Sequence, residues 1–189
     1  MGRRRVTCVD FSGWLYGDQL FRRSFLTVAK LMHGVESGCV SVDIAAMMQA
    51  SNPGAFDLIV TPDMYGDILS GIVIGQIGGV GMAPSACIGD DFAFFEPVHG
   101  TAWDIAGRGI ANPIASILSA KLMLEWLGFP GQARAVEGAV CRVLSEGEVR
   151  TVDIGGSSST SEVGDAVASF VSEVPLVDAS AERLVEAEG

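Results

Sequence analysis

A chain of 189 residues with a hydrophobic share of 49% can bury a sizeable core and is not disordered throughout. Its formal net charge of -11, with Arg3-Arg4-Arg5 as its only basic run, argues against a nucleic-acid-binding surface. The longest apolar stretch, 72–88, is interrupted by Gly75, Gln76, Gly78, Gly79, Gly81 and Pro84, short of the roughly 18 unbroken residues that span a bilayer. The first residues lack a secretory pattern, so a cytoplasmic protein with no membrane partner is expected. Cys8, Cys39, Cys87 and Cys141 are widely spaced without a Cys-x-x-Cys pair, which reads as buried thiols of a reducing compartment.

In chain order, Arg5 to Asp10 is a short strand rich in β-branched residues and stopped by an acid. Leu20, Phe21, Phe25, Val28, Ala29 and Met32 recur at helical spacing, with Asp18 as the expected N-cap, Gly34 as the C-terminal cap and His33 complementing the helix dipole. Val40 to Val42 reads as a second strand, followed by Asp43 and a helix from Ile44 to about Ala50. The break at Ser51-Asn52-Pro53-Gly54 leads into Phe56 to Thr61, an apolar strand of the kind covered on both faces. Pro62 to Gly66 is expected as a loop, with Asp67 starting the next helix. A glycine-rich turn over 75–81 and a lead-in over 84–89 precede a strand at Phe92 to Phe95. Helices are then expected at Ile114 to Leu127, apolar almost all round and so deeply packed, at Ala133 to Ser145, and at Glu162 to Glu173 after a Gly/Ser-rich turn. Strand and helix alternate, so the fold class is α/β. The residues 174–189 read as an acidic tail.

Between the last strand and the Ile114 helix lies the most informative stretch, from Glu96 to Pro113. It holds His99, Gly100, Gly107, Gly109, Asp104 and an Asn112-Pro113 step, and it lacks apolar periodicity. It is an ordered ligand-binding loop or a plain surface loop. Asp43, Asp63 and Asp67 lie just after strands or at helix starts, where carboxylates serve either as helix caps or as oxygen ligands for Mg²⁺ or Mn²⁺. There is no Gly-x-Gly-x-x-Gly and no P-loop, and neither histidine has a nucleophile close by in sequence.

Several runs together carry a family resemblance. They are Phe56-Asp57-Leu58-Ile59-Val60-Thr61, Gly66-Asp67-Ile68-Leu69-Ser70, Glu96-Pro97-Val98-His99-Gly100, Asp104-Ile105-Ala106-Gly107, Gly109-Ile110-Ala111-Asn112-Pro113, Asp153-Ile154-Gly155-Gly156-Ser157 and Gly164-Asp165-Ala166. In order and spacing the chain resembles the isocitrate and 3-isopropylmalate dehydrogenase family, closest in pattern to the NAD-dependent 3-isopropylmalate enzymes. The resemblance extends to about Val171 and matches the second half of a family subunit. It implies an isopropylmalate dehydrogenase-like open sheet, incomplete and drawn from two domains: residues 1–77 from the small, dimer-forming domain and 78–173 from the large cofactor-binding domain.

The resemblance implies oxidation of a 2-hydroxy acid by NAD followed by loss of CO₂, assisted by Mg²⁺ or Mn²⁺. It assigns His99, Gly100 and Ala102 to the cofactor's adenosine and phosphates, Asp104 to the adenosine ribose and Asn112 to the adenine. A carboxylate at Asp104 accepts from ribose hydroxyls and repels a 2′-phosphate, favouring NAD over NADP. Asp43 and Asp67 match metal-binding acids, the first reaching the neighbouring subunit's site in the family, so a dimer is implied. Two departures stand out. The family's catalytic Lys position is Phe11, and the second metal Asp, one turn beyond Asp67, is Gly71. No catalytic residue is assigned to this chain. The family's substrate-binding arginines and general-acid Tyr precede the matched region, which implies a homo-dimer or a hetero-oligomer with a chain supplying that half. The alternatives are a non-catalytic partner subunit or a gene fragment.

Overall fold

The computed structural model describes residues 4–173. The expected acidic tail, 174–189, lies outside them. The architecture is α/β and divides into two compact units, one up to Gln76 and one from Ile77. Among the described residues no helix is long and apolar enough to cross a membrane.

The first unit runs β1 (Arg5–Asp10), α1 (Tyr16–Ala29), β2 (Glu36–Ser41), α2 (Val42–Ser51), β3 (Leu58–Val60) and α3 (Asp63–Gln76). The strands form a parallel sheet in the order β2-β1-β3, with Cys8 opposite Cys39 on one side and Val60 on the other. Period-two alternation divides β1 between two faces. Val9 joins Ala45 and Leu69 in a core backed by Val40, Ile59 and Ile72. Asp10, on the opposite face, pairs with Arg22 of α1.

Several expectations are corrected here. The strand expected over Phe56 to Thr61 is three residues long and lies at the sheet edge, with Leu58 44% and Val60 36% exposed rather than covered on both faces. Ile59 alone faces the α2/α3 core. Leu58 and Val60 share the α1 face, where a cleft of about 390 Å³ lined by Val6, Phe21, Phe25 and Val60 stays open. β2 starts at Glu36, ahead of any apolar residue, because an edge strand needs only backbone pairing, here in register from Arg5 opposite Glu36. Asp18 is not the N-cap of α1. The helix begins at Tyr16, after a turn in which Phe11 O accepts from Trp14 N at 2.9 Å and Leu15 N at 3.1 Å. The helix ends at Ala29, so Gly34 (φ +83) turns the chain toward β2 instead of capping it, and His33 lies beyond the last turn, where the dipole effect fades. Asp63 to Gly66, expected as loop, is the first turn of α3.

The second unit contains β4 (Pro84–Ile88), β5 (Ala93–Pro97), α4 (Ile114–Trp126), α5 (Pro130–Glu146) and α6 (Thr160–Glu173). β4 and β5 form an antiparallel hairpin, from Pro84 opposite Pro97 to Ile88 opposite Ala93. The sequence signals β4 only as a lead-in, because Pro84, Ser85 and Ala86 have weak strand character. Proline is tolerated at the first residue of a strand. α5 opens with Pro130 at its start and closes on Gly147 in the left-handed region (φ +72). The core comprises Ile114, Ala139, Val140, Val143, Val163 and Val167. α4 is deeply packed only in its first two turns. Ile114, Ala115 and Ser119 are buried, whereas Met123 and Trp126 remain about two-fifths exposed.

The cysteines differ from the expectation of four buried thiols. Cys8 is buried and Cys39 half-buried, but Cys87 and Cys141 are exposed.

Candidate functional site

The hairpin delivers the chain into the loop 98–113. Val98 N still bonds Ala83 O at 3.0 Å, after which regular pairing ends. The backbone then turns where Ile105 N bonds Ala102 O and Arg108 N bonds Ile105 O, both at 3.1 Å. Gly107 (φ +75) and Gly109 (φ +66) supply left-handed geometry, and Ala102 (φ +45) adopts it without glycine's freedom. A non-glycine residue held there marks a conformation set by its surroundings. Two bonds from the start of α6 fix the loop's far end: Thr160 N to Gly109 O at 2.8 Å and Thr160 Oγ1 to Ala111 O at 2.6 Å. Thr160 is itself positioned by a capping box. Ser159 N and Oγ donate to Glu162 Oε2 at 2.6 and 2.8 Å, and Glu162 N donates back to Ser159 Oγ at 3.2 Å. These bonds hold the Glu162 carboxyl below its ordinary range, the Ser159 backbone N–H contributing most.

Asn112 is the loop's buried anchor, 7% exposed. Its Oδ1 accepts from Ile114 N at 3.0 Å, satisfying the first N–H of α4, while its Nδ2 donates to Asp153 Oδ2 at 3.0 Å. Asp153 Oδ1 in turn accepts from Thr151 Oγ1 at 2.5 Å. Gly81 packs against this pair so closely that a Cβ there would meet Asn112 Cβ at 2.8 Å and Asp153 Oδ2 at 2.9 Å.

These contacts shape a pocket of about 150 Å³. Val80, Ile105 and Ile110 give it apolar walls, and His99, Asn112 and Asp153 its polar groups. His99 Nδ1 lies 3.0 Å from Gly100 O. A carbonyl only accepts, so Nδ1 is the donor in this contact. Of the five residues expected to hold a cofactor, His99, Ala102 and Asn112 line this pocket. Gly100 and Asp104 belong to the same loop but do not line it, and Asp104 is exposed. Sequence reasoning missed Asp153 and Gly81. The first lies in a family-like run without an assigned role, and the second reads locally as part of a turn.

The acids of the first unit occupy helix starts. Asp43 stands in the first turn of α2, exposed, and accepts from the Ser41 hydroxyl. That bond, then the Ile44 backbone N–H, hold its carboxyl below the ordinary range. Asp63 and Asp67 are exposed on successive turns of α3, and the position one turn further is Gly71, with nothing within 4 Å of a Cβ built there. Buried Tyr65 lies between them in sequence, its phenol pushed up by burial and then by its bond to Asp18. Among the described residues no three His, Cys, Asp or Glu side chains converge as metal ligands.

At the end of β1, Asp10 is sealed from solvent and held bidentately by Arg22, Nε to Oδ2 at 2.7 Å and a terminal nitrogen to Oδ1 at 2.8 Å, with Ser12 N at 2.9 Å. Burial pushes this carboxyl up, but the Arg22 and Ser12 bonds outweigh it and the net shift is downward. Phe11 donates its N–H to Asp18 Oδ2 at 2.7 Å and stacks on Trp14, centroids 6.4 Å apart. Its ring offers no proton to donate or accept.

Residues 1–167 match the model of the isocitrate/isopropylmalate dehydrogenase family. The chain belongs to that family. It is 43% identical over 171 residues to a 3-isopropylmalate dehydrogenase of Archaeoglobus fulgidus, covering 90% of this chain and 52% of the relative. It is 41% identical over 174 residues to a mitochondrial regulatory subunit of NAD isocitrate dehydrogenase from Dictyostelium discoideum, covering 91% and 49%. The crystal structure of isocitrate dehydrogenase from Methylococcus capsulatus superposes with a TM-score of 0.85 at 39% identity, over 89% of this chain and 51% of that one. The chain thus spans about half the length of these relatives.

Proposed function

We propose that this chain is the part of an NAD-dependent 2-hydroxy-acid oxidative decarboxylase that holds the adenosine end of NAD, and that alone it is catalytically incomplete. The observation that carries this reading is the pocket that gathers His99, Ala102 and Asn112 beside Asp153. Its lining fits an adenosine: apolar walls for a flat base, the polar His99 ring and a glycine-tight floor at Gly81. Asp104, exposed on the same loop, accepts from the ribose hydroxyls and disfavours NADP, while Gly100 and Ala102 let the backbone approach the phosphates. NAD, when bound, supplies the hydride acceptor for the substrate's carbinol carbon.

The acids do not fit Mg²⁺ or Mn²⁺ as a self-contained site. Asp43 and Asp67 are two carboxylates where hard cations take six or more oxygens, and among the described residues no three His, Cys, Asp or Glu side chains gather as a ligand cluster. The remaining ligands, the arginines that would clamp a 2-hydroxy acid and the proton-transfer groups then come from a partner, in a homo-dimer or in a hetero-oligomer with a chain carrying the other half of the fold. In this reading residues 1–77 form part of the small dimer-forming domain and 78–173 part of the cofactor domain, of a cytoplasmic enzyme.

A second reading, a non-catalytic partner subunit that keeps the adenosine loop, is favoured by Phe11 and Gly71 and by the likeness to a relative named as a regulatory subunit. Calorimetric titration of the purified chain with NAD and NADP tests the shared core of both. NAD should bind the more tightly, and Asp104→Ala should erase the preference, since a hydrogen bond to a charged group contributes about 1.5–3 kcal/mol. Absence of binding at millimolar NAD would overturn the assignment. Turnover of isopropylmalate or isocitrate by the chain alone with Mg²⁺ would refute its incompleteness.

A further inference from the structure

Cys8 and Cys39 are direct register partners on the neighbouring parallel strands β1 and β2. Paired strands lie about 4.7–4.9 Å apart, inside the roughly 4.4–6.8 Å Cα separation that a disulfide bridges. Register partners also project from the same face of a sheet, here the face on which Asp10 meets α1. The register alone therefore sets the two thiols side by side on this face. Cys8 also reaches Asp10 Oδ2 at 3.5 Å. The rest of the chain holds two other cysteines, Cys87 and Cys141, both exposed and both in the second unit.

We propose that Cys8 and Cys39 form a reversible thiol–disulfide site that oxidises within one chain. Cys39 is half-buried and is the thiol a small oxidant reaches first, whereas Cys8 is buried and serves as the resolving partner. With hydrogen peroxide, the Cys39 sulfur attacks one peroxide oxygen. An S–O bond forms, the O–O bond breaks and one water leaves, giving a sulfenic acid. The Cys8 sulfur then attacks the Cys39 sulfur. The S–S bond forms, the S–O bond breaks, and the departing oxygen takes up the Cys8 proton as a second water. Two thiols lose two electrons and the peroxide gains them. Burial pushes the Cys8 thiol up to about 12, which keeps it a poor first nucleophile and leaves the attack on the oxidant to Cys39. Oxidation welds β1 to β2 across α1 and removes the Cys8 donor from Asp10, while Arg22 and Ser12 retain theirs.

The test uses the full chain carrying Cys87→Ser and Cys141→Ser, so that Cys8 and Cys39 are the only thiols. Stoichiometric hydrogen peroxide should consume both thiols together. The intact mass should fall by two hydrogens, a peptide joining the β1 and β2 segments should appear, and dithiothreitol should reverse all three. Closing the loop over α1 should raise Tm by roughly 5 °C or more. Adding Cys39→Ser should leave Cys8 unoxidised, and adding Cys8→Ser should leave Cys39 trapped as a dimedone-reactive sulfenic acid. Oxygen-adduct masses without a joined peptide, or disulfides only between chains, would overturn the proposal. So would oxidation of Cys8 at an unchanged rate in the Cys39→Ser variant.

Discussion

Two glycines make opposite demands on the same mutation. At Gly81 a methyl group would sit 2.8 Å from Asn112 Cβ and 2.9 Å from Asp153 Oδ2. Carbon atoms in contact prefer about 3.5–4.0 Å, so something has to move. Asn112 has little room to yield, because it is buried and bonded at both ends, to Ile114 N and to Asp153. Gly81 does not need a left-handed φ, so the clash is the whole native-state cost. Overpacking of this kind costs about 1–3 kcal/mol, offset by about 0.4–1 kcal/mol from the restricted unfolded chain, which around the middle of both ranges leaves a net loss of about 1–2 kcal/mol. At Gly71, in the exposed interior of α3, a Cβ meets nothing within 4 Å, and alanine should gain about 0.5–1 kcal/mol from helix propensity. Thermal melts followed by circular dichroism should show Gly81→Ala lowering Tm by about 2–8 °C and Gly71→Ala raising it by about 1–4 °C. Titration with NAD should find affinity reduced in Gly81→Ala and unchanged in Gly71→Ala. A Gly81→Ala protein that melts and binds like the wild type would refute the account of the Asn112–Asp153 pair as a rigid wall.

The remaining predictions concern single groups. Asp10, whose carboxyl is held below its ordinary value of 3.8, contributes stability that is present above that value and is lost as pH falls through its folded one. Arg22→Ala strands the buried carboxylate and should cost roughly 2–3 kcal/mol at neutral pH, less than a wholly enclosed pair because Arg22 is 34% exposed, and should move the acid-unfolding midpoint upward. An unmoved midpoint would mean that Asp10 is held mainly by Ser12 N. Ser159→Ala removes the α6 cap, with an expected loss of about 1 kcal/mol and an upward shift of Glu162 toward the ordinary carboxyl range in an NMR titration. Gly71→Asp places a carboxylate one turn beyond Asp67 in open space, so Mn²⁺ affinity by calorimetry should rise, although like charges four residues apart cost the metal-free helix about 0.3–0.5 kcal/mol. No gain in Mn²⁺ binding would argue against Asp67 as a ligand.

How far the residues disclosed the fold depended on whether local pattern or tertiary partners set the structure. β1 and the bodies of α4, α5 and α6 were legible, because apolar spacing and capping residues agreed with the packing. The β2 start was hidden: Glu36, Ser37 and Gly38 have no strand character and pair only because Arg5, Val6 and Thr7 offer backbone partners in register. β4 was hidden for the same reason, its partner being β5. At β3 the apolar run Phe56 to Thr61 misleads. Its composition suits a strand covered on both faces, but alternation turns Leu58 and Val60 toward a face that α1 leaves open. At Asp63 the reverse occurs, since Pro62 suggests a loop where Pro62 O accepts from Tyr65 N at 3.1 Å and Gly66 N at 3.0 Å to start α3.

The loop 98–113 was legible as a candidate site but not in how its side chains are held. Its glycines, histidine and Asn-Pro step announced irregular backbone with polar groups, yet nothing local could reveal that Asn112 spends its side chain on the protein itself. Oδ1 accepts from the first N–H of α4 and Nδ2 binds Asp153, more than 40 residues away in sequence. An amide committed at both ends is a rigid wall rather than a flexible hydrogen-bonding arm. Under the proposed NAD reading, direct recognition by side chains would then fall to His99 and Asp104 and shape recognition to Gly81, Ala102 and Ile110. The pocket is also held independently of the first unit. Its integrity depends on links among the hairpin, α4 and the 151–160 segment, all within the second unit, whereas Phe11 and Gly71 alter the first. If the proposed reading holds, the cofactor wall would stay intact whatever Phe11 and Gly71 do to the first unit, and binding of NAD without turnover is the behaviour this separation predicts.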